Sequence, residues 1–211
     1  MQFDFAEISA KDRYKLMVST ILPRPIAWVV TQSAAGLVNA APYSFFNGVG
    51  GDPPLISISI EGRENGSRKD TSVNIRESGQ FVVNLVSDAI ARDMVVTAID
   101  FAPDVSEVTE ARLTTTPSVL VKPPRIAESP VAFECELYQI VELPHYRDLV
   151  IGCILYMHVA DEAVQDAERC YIDTPKLDLV GRMHSGGWYS RTRDRFEIPR
   201  IPVTEWKRRA E

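Results

Sequence analysis

Two long runs in the second half of the chain constrain its fold more than any other feature. Val131 to Leu143 sets Val131, Phe133, Cys135, Leu137, Val141 and Leu143 on one face and Glu134, Glu136 and Glu142 on the other. Asp148 to Ala160 follows with Ile151, Cys153, Leu155, Met157 and Val159 on one side. A period of two fits an extended strand and not a helix, and the short joint Pro144 to Arg147 makes the runs an antiparallel pair. Leu55 to Ile60 alternates Ile56, Ile58 and Ile60 against Ser57 and Ser59, and Gln80 to Val86 reads as a further strand. Ile26 to Thr31 ends in the small-residue turn Ser33 to Gly36 and resumes at Leu37, the pattern of a hairpin. Helical signals are fewer: Asp70 or Thr71 caps a turn running to Glu77, Asp88 caps a helix through about Ala98, and Ala163 to Cys170 makes a third. Many strands and few helices predict a mainly β protein with peripheral helices, built on a closed or partly closed barrel.

The Pro-rich joints at Pro53-Pro54, Pro123-Pro124 and Pro199 to Pro202 adjoin no Gly/Ser-rich or charge-run linker, so residues 1–211 are expected to form a single domain. Apolar residues at 45% and charged residues at 25% belong to a folded chain. The net charge of −6 argues against nucleic acid or an anionic membrane as partner. No secretory pattern opens the sequence, and the apolar stretches are strand-sized, short of the ~20 residues of a membrane helix. Cys135, Cys153 and Cys170 are odd in number and widely spaced, without a metal-ligand pattern. These features predict a reduced, cytoplasmic protein without a metal site.

Three clusters carry the chemistry. Asn39 to Asn47 joins small residues, Ala40 and Ala41, to the polar Asn39, Ser44 and Asn47 and the aromatic Tyr43, Phe45 and Phe46. It reads either as a turn cradling a heteroaromatic ring with polar edges or as a turn with aromatics buried in the core. Arg63 to Thr71 combines a turn glycine, Gly66, with Ser67, Thr71, Arg63, Arg68 and Lys69 ahead of a helix start, which suits either a phosphate or a solvated polar loop. Neither GxxxxGK[ST] nor GxGxxG is present. The glycine-rich run Gly181 to Thr192 carries His184, Trp188, Tyr189 and two arginines, as a ligand cleft or a loop anchored by Trp188 would. His158 reads as a satisfied barrel histidine, His145 as an exposed turn residue, and Arg193-Asp194-Arg195 as a surface ion network. No hydrolase elbow or HExxH pattern appears.

Taken in order, Arg24 to Val29, Asn39 to Asn47, Pro53-Pro54, Lys69 to Ile75, Phe81 to Asn84 and the loop Leu179 to Thr192 resemble the flavin reductase-like family. The resemblance implies a split β-barrel of the FMN-binding type, a homodimer, and FMN held non-covalently near the subunit interface. It implies that Ala40, Ala41, Tyr43 and Ser44 border the isoalloxazine, that Arg63, Ser67, Lys69 and Thr71 hold the phosphate end, and that Asn39, Asn47 and Trp28 lie nearby. The loop His184 to Tyr189 would cover the site from its own or the partner subunit, with His184 or Arg24 as candidates to stabilise reduced flavin. The implied activity is NAD(P)H-dependent flavin reduction, serving a flavin-dependent monooxygenase or another electron acceptor. An FMN electron-transfer protein, a flavoenzyme with another substrate, and a flavin-free ligand-binding barrel are the alternatives.

Overall fold

A computed structural model describes residues 1–208. Seven strands form one antiparallel sheet: β1 (Ala27–Gln32), β2 (Val38–Tyr43), β3 (Phe46–Gly51), β4 (Pro54–Ile60), β5 (Gln80–Asn84), β6 (Val131–Leu143) and β7 (Arg147–Val159). Their order is β2-β1-β5-β6-β7-β4-β3. The two ends of this order, β2 and β3, are halves of one bent strand separated by Ser44 and Phe45 alone. The first half pairs with β1 and the second with β4, and the Phe45 carbonyl accepts the Ser59 N–H at 2.9 Å. The sheet therefore closes on itself through this corner as a split β-barrel. Sequence patterning reads the corner region as a turn between two strands; the structure corrects this, because Asn39 and Asn47 both lie within strands and the turn shrinks to two residues.

Alternation sorts the side chains into two layers, but along the β6–β7 hairpin register shifts at Glu134/Cys135 and Leu137/Gln139 break the single faces expected from the sequence: Val150 and Ile154 pack inward, while Val141, Leu143, Leu155 and Met157 are exposed. Ala27, Val29, Ile56, Ile58, Ile60, Phe81, Val83 and Val150 fill the barrel interior, with Ile75 packed against them from helix α2 (Asp70–Ser78). Trp28, Val30, Ala40, Val82 and Ala132 form a second core outside the wall. Over it lie helix α3 (Ala91–Val96), which contributes Met94, and helix α4 (Glu107–Glu110), which contributes Val108. Each buried Val, Ile or Phe stabilises the fold by about 1.5–3 kcal/mol. Gly152 on β7 keeps the interior open for Phe81, whose ring occupies the space any Cβ there would need.

Three further expectations change. Helix α1 (Ala10–Thr20), capped by the Ser9 hydroxyl, forms where the sequence shows no strong pattern; among its residues Val18 alone is buried. Ala163 to Cys170 is not a helix: a single 3-10 turn, Asp161–Ala163, leads into Val164–Asp166, which pairs with Tyr171–Ile172. Glu134 lies on the outer face but does not reach solvent as Glu136 and Glu142 do. The register shifts beside it, and its carboxylate is buried against His158 Nε2 at 2.6 Å and the N–H groups of Val119 and Leu120. Burial alone would raise that carboxyl; His158 and the two N–H donors outweigh it and hold the pKa below the ordinary value. Among the described residues no helix is long and apolar enough to cross a membrane.

Candidate functional site

The barrel's closing corner is held from behind by a buried hydrogen-bond web. The Tyr43 phenol donates to Thr71 Oγ1 at 2.9 Å, and Thr71 donates to Asn39 Oδ1 at 2.9 Å. Asn74 Nδ2 donates to Thr31 Oγ1 at 3.0 Å, and Thr31 donates onward to Asn39 Oδ1 at 3.3 Å. The Glu107 carboxylate takes Asn39 Nδ2 at 2.9 Å and the Ala40 N–H at 3.1 Å. Strands β1 and β2 and helices α2 and α4 are thereby tied at one point. Burial pushes the Tyr43 phenol pKa up, against the opposing bond from Thr71, and burial likewise raises Glu107 despite its N–H partners.

In front of the web, three hollows share Pro42 and Tyr43. One of ≈ 80 Å³ is bordered by Ala41, Arg63, Lys69, Asp70 and the segment Thr97 to Phe101. A second of ≈ 160 Å³ lies between Tyr14, Ser44, Phe45, Glu61 and Lys69. The third, ≈ 190 Å³, is walled by Ile26, Ser44, Met94, Ala98, Arg182 and Tyr189. The groove is cationic at one end. Lys69 occupies the N-cap of α2 without a side-chain cap bond, leaving the first N–H groups of the helix open. Its ammonium has no carboxylate partner among the described residues. Arg63 Nη2 pairs with Asp70 Oδ2 at 2.5 Å, while its Nε is buried with no partner. At the other end the Arg182 guanidinium lies over the Tyr189 ring, 4.8 Å from its centroid.

The structure thus gathers Ala41, Tyr43, Ser44, Arg63, Lys69 and Thr71 around one groove and distributes the remaining sequence candidates elsewhere. Trp28 is fully buried in the outer core, its indole N–H donating to Thr97 Oγ1 at 2.8 Å, and Ala40 is buried in the same layer. Asn39 works inside the web. Asn47 projects from β3 into a separate cavity of ≈ 500 Å³ with largely apolar walls. Ser67 donates to Asn65 Oδ1 at 2.7 Å within its own turn. His184 sits in the loop between β8 (Val180–Arg182) and β9 (Tyr189–Arg191), beside Trp188 with ring centroids 5.7 Å apart. Arg24 has its donors committed to the carbonyls of Val18, Ile21 and Met183 and, at 3.4 Å, to Ser44 Oγ. It therefore clamps helix α1 and the 183–188 loop onto the corner.

Arg68 is spent on folding: it bonds Asp148 and Glu142 and stacks 5.9 Å from the Tyr146 ring centroid. Sequence reasoning missed Tyr14, Met94, Ala98 and Glu107. Met94 and Ala98 lie on the helix expected after Asp88, whose sequence gives no sign that it faces the corner, and a four-residue helix such as α4 leaves no periodic signal for Glu107.

The family profile for the flavin reductase like domain matches residues 18–185. The uncharacterized protein YwrF of Bacillus subtilis is 42% identical over 203 residues, covering 94% of this chain and 98% of its own. Nitrilotriacetate monooxygenase component B from Bacillus cereus superposes with a TM-score of 0.88 at 34% identity, covering 94% of this chain and 98% of that one. Pseudomonas fluorescens 2-nitrobenzoate 2-nitroreductase NbaA does so with a TM-score of 0.88 at 36% identity, covering 96% and 97%. A profile spanning most of the barrel, with full-length relatives on the same fold, establishes that the chain belongs to the flavin reductase like domain family.

Proposed function

We propose that the chain is an FMN-binding oxidoreductase, a homodimeric cytoplasmic flavin reductase that draws electrons from NAD(P)H and works as one domain. The observation that carries this reading is the cationic end of the groove. A phosphate monoester needs several N–H donors and positive charge. The open start of α2, the Lys69 ammonium, which has no carboxylate partner among the described residues, and the buried Arg63 Nε supply that chemistry beside an aromatic corner. The residues fit an FMN whose phosphate is held by Arg63, Lys69 and the α2 N-terminus and whose ring is bordered by Tyr43 and Ser44. Arg182 and Met94 stand at the opposite end. Trp28, Asn39 and Thr71 support this wall from behind.

Bound FMN supplies hydride-accepting chemistry at N5, and the protein's part is to bind, orient and tune it. Arg182 sits where positive charge would offset the negative charge of a reduced ring. Hydride transfer between a nicotinamide and a flavin requires no protein base. Component B, to which the chain is similar, is named as part of a monooxygenase, which supports a flavin-dependent monooxygenase as the acceptor.

A second reading, a flavoenzyme that reduces a bound organic substrate, is favoured by the likeness to a protein named as a nitroreductase. Titrating the purified protein with FMN and following NADH and NADPH oxidation, with and without an aromatic nitro compound, separates the two. Oxidation supported by free FMN alone identifies the reductase, and dependence on the nitro compound identifies the second reading. Background oxidation under every condition overturns both. Arg63→Ala with Lys69→Ala should weaken FMN binding by about 1.5–3 kcal/mol for each lost charge-assisted bond; unchanged affinity would show the phosphate to be elsewhere.

A further inference from the structure

Strand β9, which pairs with β8 in a two-stranded ribbon outside the barrel sheet, is followed by an exposed arm. Arg191 pairs with Asp88 at 2.7 Å and Arg193 with Asp178 at 2.6 Å, which fixes the arm's root. Beyond it, Asp194 to Ile201 make no hydrogen bond or ion pair among the described residues. Phe196 and Ile198 are 87% and 80% exposed. Arg195, Phe196, Glu197 and Ile198 alternate charged with apolar, the pattern of a strand that buries one face. Pro199 and Pro202 stiffen the end of the arm and disfavour folding back.

A matching surface exists on the barrel. Strand β3 is hydrogen-bonded on one side only, to β4, and its outer edge is exposed and carries Gly48, Gly50 and Gly51. Beside that edge opens the ≈ 500 Å³ cavity, walled by Pro25, Phe46, Leu55, Phe133 and Ile154. Unpaired edges and large apolar hollows mark sites where another segment adds.

We infer that the arm of a second copy of this chain adds along the free edge of β3 and inserts Phe196 and Ile198 into the cavity, the exchange being reciprocal. The nine residues Asp194 to Pro202, ahead of the helix Val203–Arg208, extend roughly 30 Å, enough to reach across a neighbouring barrel. A two-fold pair satisfies both arms and both edges at once, leaving neither exposed. The arm does not fill its own cavity: Thr192 lines the opening, and Phe196 and Ile198 beyond it are exposed. The inference builds on the homodimer proposed above and says what holds it together.

The test is photocrosslinking of the full-length protein with p-benzoylphenylalanine in place of Phe196, alongside sedimentation of the wild type and of the Phe196→Glu, Ile198→Glu double variant. The expected result is a dimer-mass product whose cross-link maps to β3 or β4, with the double variant raising the dimer dissociation constant at least about tenfold. A wild-type dimer that cross-links within one chain, or whose double variant dimerises equally well, overturns the exchange and leaves the dimer standing. A monomeric wild type overturns both.

Discussion

Two buried carboxylates, Glu107 and Asp148, stand behind the two halves of the candidate groove, and they are held by opposite means. Glu107 braces the corner with neutral donors, Asn39 and the Ala40 N–H, and among the described residues no cation pairs with it. Asp148 braces the 63–71 loop with Arg68 at 3.2 Å, Arg76 at 2.7 Å and the Ser72 hydroxyl. Their titration reflects the difference. Burial raises Glu107 above its ordinary 4.5 because neutral donors offset it only in part. For Asp148 burial also raises, but Arg76, Ser72 and Arg68 outweigh it and hold the carboxyl below its ordinary 3.8. The loop side therefore keeps Lys69 without a carboxylate partner among the described residues, whereas Glu107 on the corner side is met by neutral donors.

The comparison breaks most visibly at Asp148. Asp148→Ala leaves Arg68 and Arg76 without their buried partner and should cost about 3–5 kcal/mol in urea unfolding. Because the folded pKa is depressed, the contribution of Asp148 is fully present above pH 3.8 and is lost as pH falls through the lower folded value. Glu107→Ala comes next, at about 1–3 kcal/mol for each orphaned buried N–H. Its pH signature has the opposite sign. The raised pKa of Glu107 disfavours the ionised form in the fold, so stability declines as pH rises from 4.5 through the folded value. Glu107→Gln should remove that decline, and a decline equal to that of the wild type would show that Glu107 is not its source.

A third substitution sharpens the division among the loop's cations. Lys69→Ala should lower FMN affinity by about 1.5–3 kcal/mol with little change in the urea midpoint, whereas Arg68→Ala should lower the midpoint and leave affinity nearly unchanged. Equal effects on both measurements would erase the distinction between a spent cation and a free one.

That distinction explains how far the sequence could be read. The barrel was legible because Leu55 to Ile60 and the β6–β7 hairpin write a period of two over long runs, and alternation is a local signal. The family motif at Asn39 to Asn47 is legible for a similar reason, since its small and aromatic residues are contiguous, and it falls on the barrel's closing corner. Arg63, Arg68 and Lys69 are equivalent as a string of basic residues. Their roles separate only when β7 brings Asp148 within reach of Arg68, from 80 positions away. Glu107 was invisible on the same grounds, being 68 residues from the Asn39 it holds. Glu134 keeps the outer face that alternation assigns it, opposite Val82, and what alternation cannot show is that the distant N–H groups of Val119 and Leu120 and His158 cover it there.

The smallest effect tests whether the corner's two properties separate. Tyr43 serves the web through its hydroxyl and the groove through its ring, lining all three hollows. Tyr43→Phe removes the hydroxyl and keeps the ring. Thr71 still donates to Asn39, so no donor is orphaned, and the loss should be that of one ordinary buried bond, about 0.5–1.5 kcal/mol of stability. Flavin affinity should stay at the wild-type value, because the wall facing the groove is unchanged. A variant equally stable but weak for FMN would reverse the assignment: the phenol would then face the ligand, and Thr71 would be borrowed from it only while the groove is free.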